Sequence, residues 1–332
     1  MLASLLASRK ILLADGATGT NLFERGLMSG DSPELWNDIH ADRIRALHQD
    51  FVDAGADIIL TNSFGANRRR LMLHQLEGRT HDLNRLAAAN ARAVADGAGR
   101  PVVVAGSVGP TGDLLAPLGP LTEDEAMLVF VEQIEGLKAG GVDVVWIETM
   151  SAVEEIRAAA RAAAQVGMPY TVTASFDTAG RTMMGVLPAA LTAFTAGLVP
   201  APLAIGSNCG VGATDLVASV LAMNENAPDT VVIAKANCGI PRVTAEGTIY
   251  SGTPELMAEY ARLAIDSGAR IVGGCCGTSP AHLAAMRAAV DAHVPRRRPD
   301  LDLLVSLLGP LVSPLAPADR EGAPRRGGRR RG

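Results

Sequence analysis

Aromatic residues are scarce: among 332 residues there are two Trp, three Tyr and six Phe. So few ring faces exclude a stacking platform for single-stranded nucleic acid. Cysteine is equally sparse, at Cys209, Cys238, Cys275 and Cys276. No apolar run reaches the roughly 20 residues that span a bilayer. The best candidate, 301–315, is interrupted by Pro310 and Pro314. The N-terminal MLASLLASRK carries its charges on the wrong side of the apolar run for a secretory signal. The sequence is therefore expected to be cytoplasmic, with no membrane partner. In that compartment four cysteines point to metal or redox chemistry rather than to a disulfide framework.

The formal net charge is −5. From Arg296 onward nine Arg face four carboxylates, a local +5, which leaves −10 on the first 295 residues. An acidic body argues against a nucleic-acid footprint. The Arg-, Pro- and Gly-rich stretch 296–332 reads as a solvated, disordered tail. Residues 1–295, in a chain that is 48% apolar overall, hold ample core for one folded domain.

Short apolar runs alternate with Ala-rich amphipathic stretches along that domain. The runs are 11–15, 57–61, 102–107, 143–148, 170–175, 203–208, 231–237 and 270–274. Each is nearly continuous in apolar residues, as expected of strands buried on both faces. Helical spacing occupies 42–54, 83–95, 123–139, 152–166, 189–196, 214–224, 253–267 and 279–292. Gly55, Gly140, Gly167 and Gly268 stand where a left-handed helix end is wanted. Thr253-Pro254 and Ser279-Pro280 match an N-cap followed by proline. Eight such α/β repeats spell a single-domain (β/α)8 TIM barrel. A doubly wound sheet is the alternative, but the turn after the first strand, DGATGT, lacks its glycine spacing.

Polar and sulfur residues gather where the strands end: Asp15, Asn62, Ser107, Glu148, Asn208-Cys209, Asn237-Cys238 and Cys275-Cys276. In a barrel these ends share the rim where active sites form. Cys209, Cys275 and Cys276 thus converge, and three thiolates with one open position suit a substrate-binding zinc site. The alternative is that they are small buried hydrophobes. Neighbouring side chains on a regular strand point apart, so the glycines flanking Cys275-Cys276 must let the backbone turn. Cys238 reads as a packing residue near the rim. Asp15 and Glu148 are either strand ends that are solvated or salt-bridged, or a pair that grips an ammonium. His40, His48, His74 and His81 show no ligand spacing and read as surface residues.

The strings LLADGATGTNL, FVDAGADIILTNSFGANRRRL, GSVGPTG, WIETM, SNCG, KANCGIP and GGCCGTSPAHL mark a resemblance. Over residues 11–292 the chain is similar to the homocysteine S-methyltransferase family, most closely to its bacterial betaine–homocysteine methyltransferase-like members. The resemblance implies a zinc ion held by Cys209, Cys275 and Cys276, with homocysteine sulfur as fourth ligand. It implies that Asp15 and Glu148 hold the homocysteine ammonium. The backbone of Gly16 and Ala17 would approach the carboxylate, and Asn208 would orient the site. The reaction would transfer a methyl group from a cationic donor to the thiolate, giving methionine.

Betaine is the first donor expected from the resemblance, and S-methylmethionine the second. Animal-type betaine enzymes place tyrosines near the positions of Gly65 and Thr149, neither of them aromatic here. Trp36 and Phe64 are left as candidate walls for a quaternary ammonium. A further alternative is the homocysteine-binding subunit of a cobalamin-linked methionine synthase, served by a separate corrinoid protein. The chain has no D-x-H-x-x-G cobalamin signature; the nearest string, 291–296, ends in Arg. Self-association is left open.

Overall fold

The structure, a computed structural model, describes residues 1–244 and 247–313. All eight apolar runs are parallel strands of one sheet: β1 (Leu12–Leu13), β2 (Ile58–Leu60), β3 (Val103–Val108), β4 (Val144–Met150), β5 (Tyr170–Ala174), β6 (Ile205–Cys209), β7 (Val232–Ala236) and β10 (Ala269–Gly274). A separate hairpin, β8 (Pro241–Thr244) with β9 (Gly247–Tyr250), follows β7 and has no counterpart in the expected rhythm. The sheet runs β1-β10-β7-β6-β5-β4-β3-β2, and a parallel Ala14–Ile58 bridge joins its two edges. The result is the (β/α)8 barrel.

The N-terminal half carries α1 (Leu2–Ser8), α2 (Gly19–Glu24), α3 (Trp36–Ile39), α4 (Ala41–Asp53), α5 (Arg68–Leu71), α6 (Thr80–Gly97), α7 (Glu123–Ala139) and α8 (Val153–Val166). The rest carries α9 (Pro188–Ala196), α10 (Ala213–Asn226), α11 (Pro254–Asp266), α12 (Pro280–Asp291) and α13 (Leu301–Leu308). Strand alternation divides the core in two. Leu12, Ile58, Leu60, Val103, Val144 and Trp146 fill the barrel, with Leu2, Leu5 and Leu6 of α1 packed among them. Their neighbours Leu13, Ile59, Val104 and Val145 face the helix layer.

Helix ends follow the expected chemistry with one shift. Gly55, Gly167 and Gly268 are left-handed, but Gly140 is not (φ −84°); its neighbour Gly141 takes that role at φ +96°. His48 is buried in α4 rather than on the surface, and burial lowers its pKa to about 4. The tail is not unstructured from residue 296. Asp300 caps α13, Leu304 is fully buried, and the helix packs on α10 and α11. Residues 314–332, which hold the remaining arginines, lie outside the described residues.

Candidate metal and substrate site

Cys209 is the last residue of β6, and Cys275-Cys276 follow directly on β10. The three sulfurs lie within 4.8 Å of one another, with Cys209 and Cys276 at 3.9 Å. Thiolates about 2.3 Å from a tetrahedral metal ion stand roughly 3.8 Å apart, close to the Cys209–Cys276 separation. Cys238 is buried instead, its thiol donating to the Gly252 carbonyl at 3.4 Å.

The backbone shows how two adjacent cysteines converge. Cys275 N–H extends the ladder to the Ala236 carbonyl at 2.7 Å. The chain then turns: Cys276 N–H donates to Asn237 Oδ1 at 3.1 Å, and Gly277 adopts φ +80°. A Cβ at Gly277 would stand 2.3 Å from the Tyr250 ring, so only glycine lets the aromatic cover this turn. Cys209 itself sits at φ +62°, a conformation that costs a non-glycine residue about 1–3 kcal/mol and collects at functional sites.

Asn208, the residue before Cys209, is anchored to β4 and β5. Its Oδ1 accepts from Thr149 N–H (2.8 Å) and Thr173 Oγ1 (2.7 Å), and its Nδ2 donates to Thr149 Oγ1 (2.7 Å). Nδ2 also lies 3.9 Å from Cys275 Sγ. Thr149, at φ +61°, is itself held left-handed by this pair of bonds.

The carboxylates reach the same mouth in unequal states. Asp15 is buried, with Oδ2 accepting from Leu60 N–H at 2.7 Å and Oδ1 from Lys235 Nζ at 2.7 Å. Lys235 is a buried cation on β7, marked in the sequence by a lone Lys in the apolar run VVIAKAN. Glu148 is buried too, and its Oε1 accepts from Ser107 Oγ. Burial holds Asp15 above the usual carboxylate range and raises Glu148 to about 7, with Lys235 opposing in both cases. Among the thiols, hydrogen bonds from Cys209 and Cys275 push Cys276 down to about 3, while donating to Cys275 and Cys276 pushes Cys209 up.

Other expected site residues are placed less favourably. Gly16 passes close enough that a Cβ would meet the Thr278 carbonyl at 2.5 Å, yet Ala17 N–H already donates to that carbonyl at 3.1 Å. Phe64 is partly exposed at the rim and packs over Gly109. Trp36 is 4% exposed, with the His40 ring edge-on at 4.7 Å and Arg43 over its face at 5.1 Å. It is a core residue whose π face is engaged.

Three thiols gathered at the mouth of a barrel form a group that could hold a metal ion. The homocysteine S-methyltransferase family model matches residues 12–290, and the chain belongs to that family. It is 32% identical over 303 residues to a methionine synthase of Mycobacterium tuberculosis, covering 85% of this chain and 25% of that protein. The methionine synthase of Mycobacterium leprae is 31% identical over 313 residues, with 87% and 25% covered. The chain thus spans about a quarter of the length of these curated relatives. The metallated homocysteine methyltransferase MmuM of Escherichia coli superposes with a TM-score of 0.72 at 26% identity, covering 86% of this chain and 99% of that one.

Proposed function

We propose that the chain transfers a methyl group from a cationic donor to the thiolate of homocysteine bound to zinc, forming methionine. The observation that carries this reading is the convergence of Cys209, Cys275 and Cys276. These three residues would hold the metal, leaving one position for substrate sulfur. When bound, zinc supplies a Lewis acid that keeps that sulfur deprotonated at neutral pH. The protein's own residues then orient the reaction. Asn208 and Asn237 fix the backbone that carries the cysteines. Glu148 takes the homocysteine ammonium, and Asp15 acts with Lys235 to set the charge beside it. Two carboxylates and one ammonium leave one negative charge, which matches one incoming ammonium. The thiolate attacks the donor methyl carbon and the donor leaves as a neutral molecule, so the step asks for alignment rather than a general acid.

Glu148 supplies a pH test. Only its carboxylate form attracts the ammonium, and its pKa lies near 7. Homocysteine KM is expected to rise about tenfold per unit as pH falls below 7, and Glu148→Gln is expected to flatten that dependence. A wild-type KM that stays constant between pH 8 and pH 5.5 would remove Glu148 from this role.

For the donor, a sulfonium is our preferred reading over betaine, on the placement of Trp36 and Gly65. Trp36 is not free to wall a quaternary ammonium. Nor does Gly65 leave room for an aromatic, since a Cβ there would stand 2.6 Å from Glu34 Oε1. A sulfonium amino acid such as S-methylmethionine brings its own ammonium and carboxylate for polar groups to hold. Trp36→Ala is expected to cost about 3–5 kcal/mol of stability as a core truncation, with donor KM unchanged. A selective rise in donor KM without loss of melting temperature would return Trp36 to the pocket.

A second reading has a methylated corrinoid as donor, supported by the quarter-length match to methionine synthases. Zinc-loaded protein and homocysteine, incubated separately with betaine, S-methylmethionine, S-adenosylmethionine and methylcobalamin, decide between them. Methionine is expected with S-methylmethionine. Methionine from methylcobalamin alone would establish the corrinoid reading.

A further inference from the structure

We propose that Asp215 is a positioning residue that, through segment 309–313, holds the loop after β5 in place at the barrel mouth. Asp215 lies in the first turn of α10, six residues beyond Cys209, and is buried. An acidic residue there ordinarily serves its own helix. Here the carboxylate reaches across to another segment: Oδ2 accepts from Val312 N–H at 2.9 Å and Oδ1 from Ser313 N–H at 2.8 Å. Thr214 Oγ1 adds a bond to the Gly309 carbonyl at 2.9 Å. The segment is fixed upstream by α13, whose Leu304 is buried against α10 and α11.

Ser313 passes the restraint onward. Its hydroxyl donates to the Asp177 carbonyl at 3.0 Å and accepts from Ala179 N–H at 2.5 Å. Ala179 stands at φ +50°, a turn that the two bonds to Ser313 brace. Further along the same loop, Thr182 Oγ1 donates to the Ser151 carbonyl at 2.7 Å, three residues past Glu148. One continuous tie therefore runs from the helix after β6, across the loop after β5, to the end of β4. Those flanking strands carry Cys209 and Glu148. The position of the β5 loop sets the width of the mouth between them, and Asp215 sets the position of the loop.

Limited trypsinolysis reads the loop directly, because Arg181 lies inside it. Cleavage after Arg181, identified by mass spectrometry, is expected to be roughly tenfold faster in Asp215→Ala and in Ser313→Ala, which lose two bonds each. Ser313→Ala leaves the Asp215 clamp in place and guards against a variant that fails to fold. In both variants the substrate KM values should rise about three- to tenfold, the span of one weak hydrogen bond, with zinc content and kcat near wild type. This KM arm rests on the function proposed above. Wild-type cleavage rates in both folded variants would overturn the proposal, and so would faster cleavage with unchanged KM. A wild-type protein that binds no homocysteine would refute the proposed function instead, and the trypsin arm would still decide whether the clamp exists.

Discussion

Cys275→Ala is expected to reduce bound zinc from about one ion per chain to a trace, and methionine formation with it. The three sulfurs lie within 4.8 Å of one another, and no other group of three His, Cys, Asp or Glu among the described residues gathers closely enough to hold a metal ion. Two thiolates at an open mouth leave the ion half-ligated, and homocysteine cannot supply both missing positions. Cys276→Ala should behave alike. Cys238→Ala should keep its zinc, because the Cys238 thiol is committed to the Gly252 carbonyl. Metal analysis after dialysis against buffer checks all three variants. Full zinc in Cys275→Ala would show that the site is held by other residues.

A large stability effect that depends on pH is expected at Lys235. Replacing it by Met leaves Asp15 buried without the ammonium that meets it at 2.7 Å. Breaking a buried pair from one side costs about 3–5 kcal/mol. The loss should depend on pH. Burial already holds the Asp15 carboxyl above the usual range, and Lys235 is the strongest influence against that rise. Without Lys235 the folded-state value climbs further, so the folded protein prefers the protonated acid. A carboxyl raised above its unfolded value of roughly 3.9 loses stability as pH increases. The deficit of Lys235→Met should therefore be small near pH 4 and grow through neutrality. Chemical denaturation of both proteins at several pH values measures it. An equal deficit at every pH would assign the loss to packing rather than to charge.

The strands and their common rim were legible because parallel strands buried on both faces write themselves as unbroken apolar runs. The cysteine triad followed from that, since its members end two of those runs. What eluded the sequence depends on tertiary contacts. Asp15 reads as a strand-end carboxylate whose salt-bridge partner has no local mark, because Lys235 reaches it from a strand 220 positions away. Trp36 reads as an available ring until Arg43 and His40 are found against it. The helix α13 was hidden by its setting: LDLLVSLL is amphipathic, but the Arg and Pro around it carry the composition of a loose end. The Asp215 bonds to residues 312 and 313 have no local signature at all. Neither does the left-handed backbone of Thr149, which Asn208 holds from a strand two places along the sheet.

The coordination of the metal before and after homocysteine tests the central claim most directly. Zinc-edge X-ray absorption on the loaded protein should show three sulfur ligands and one lighter atom. Adding homocysteine should convert this to four sulfurs at about 2.3 Å. A sulfur count that stays at three with homocysteine saturating would contradict the account, because the substrate thiolate would then be activated elsewhere.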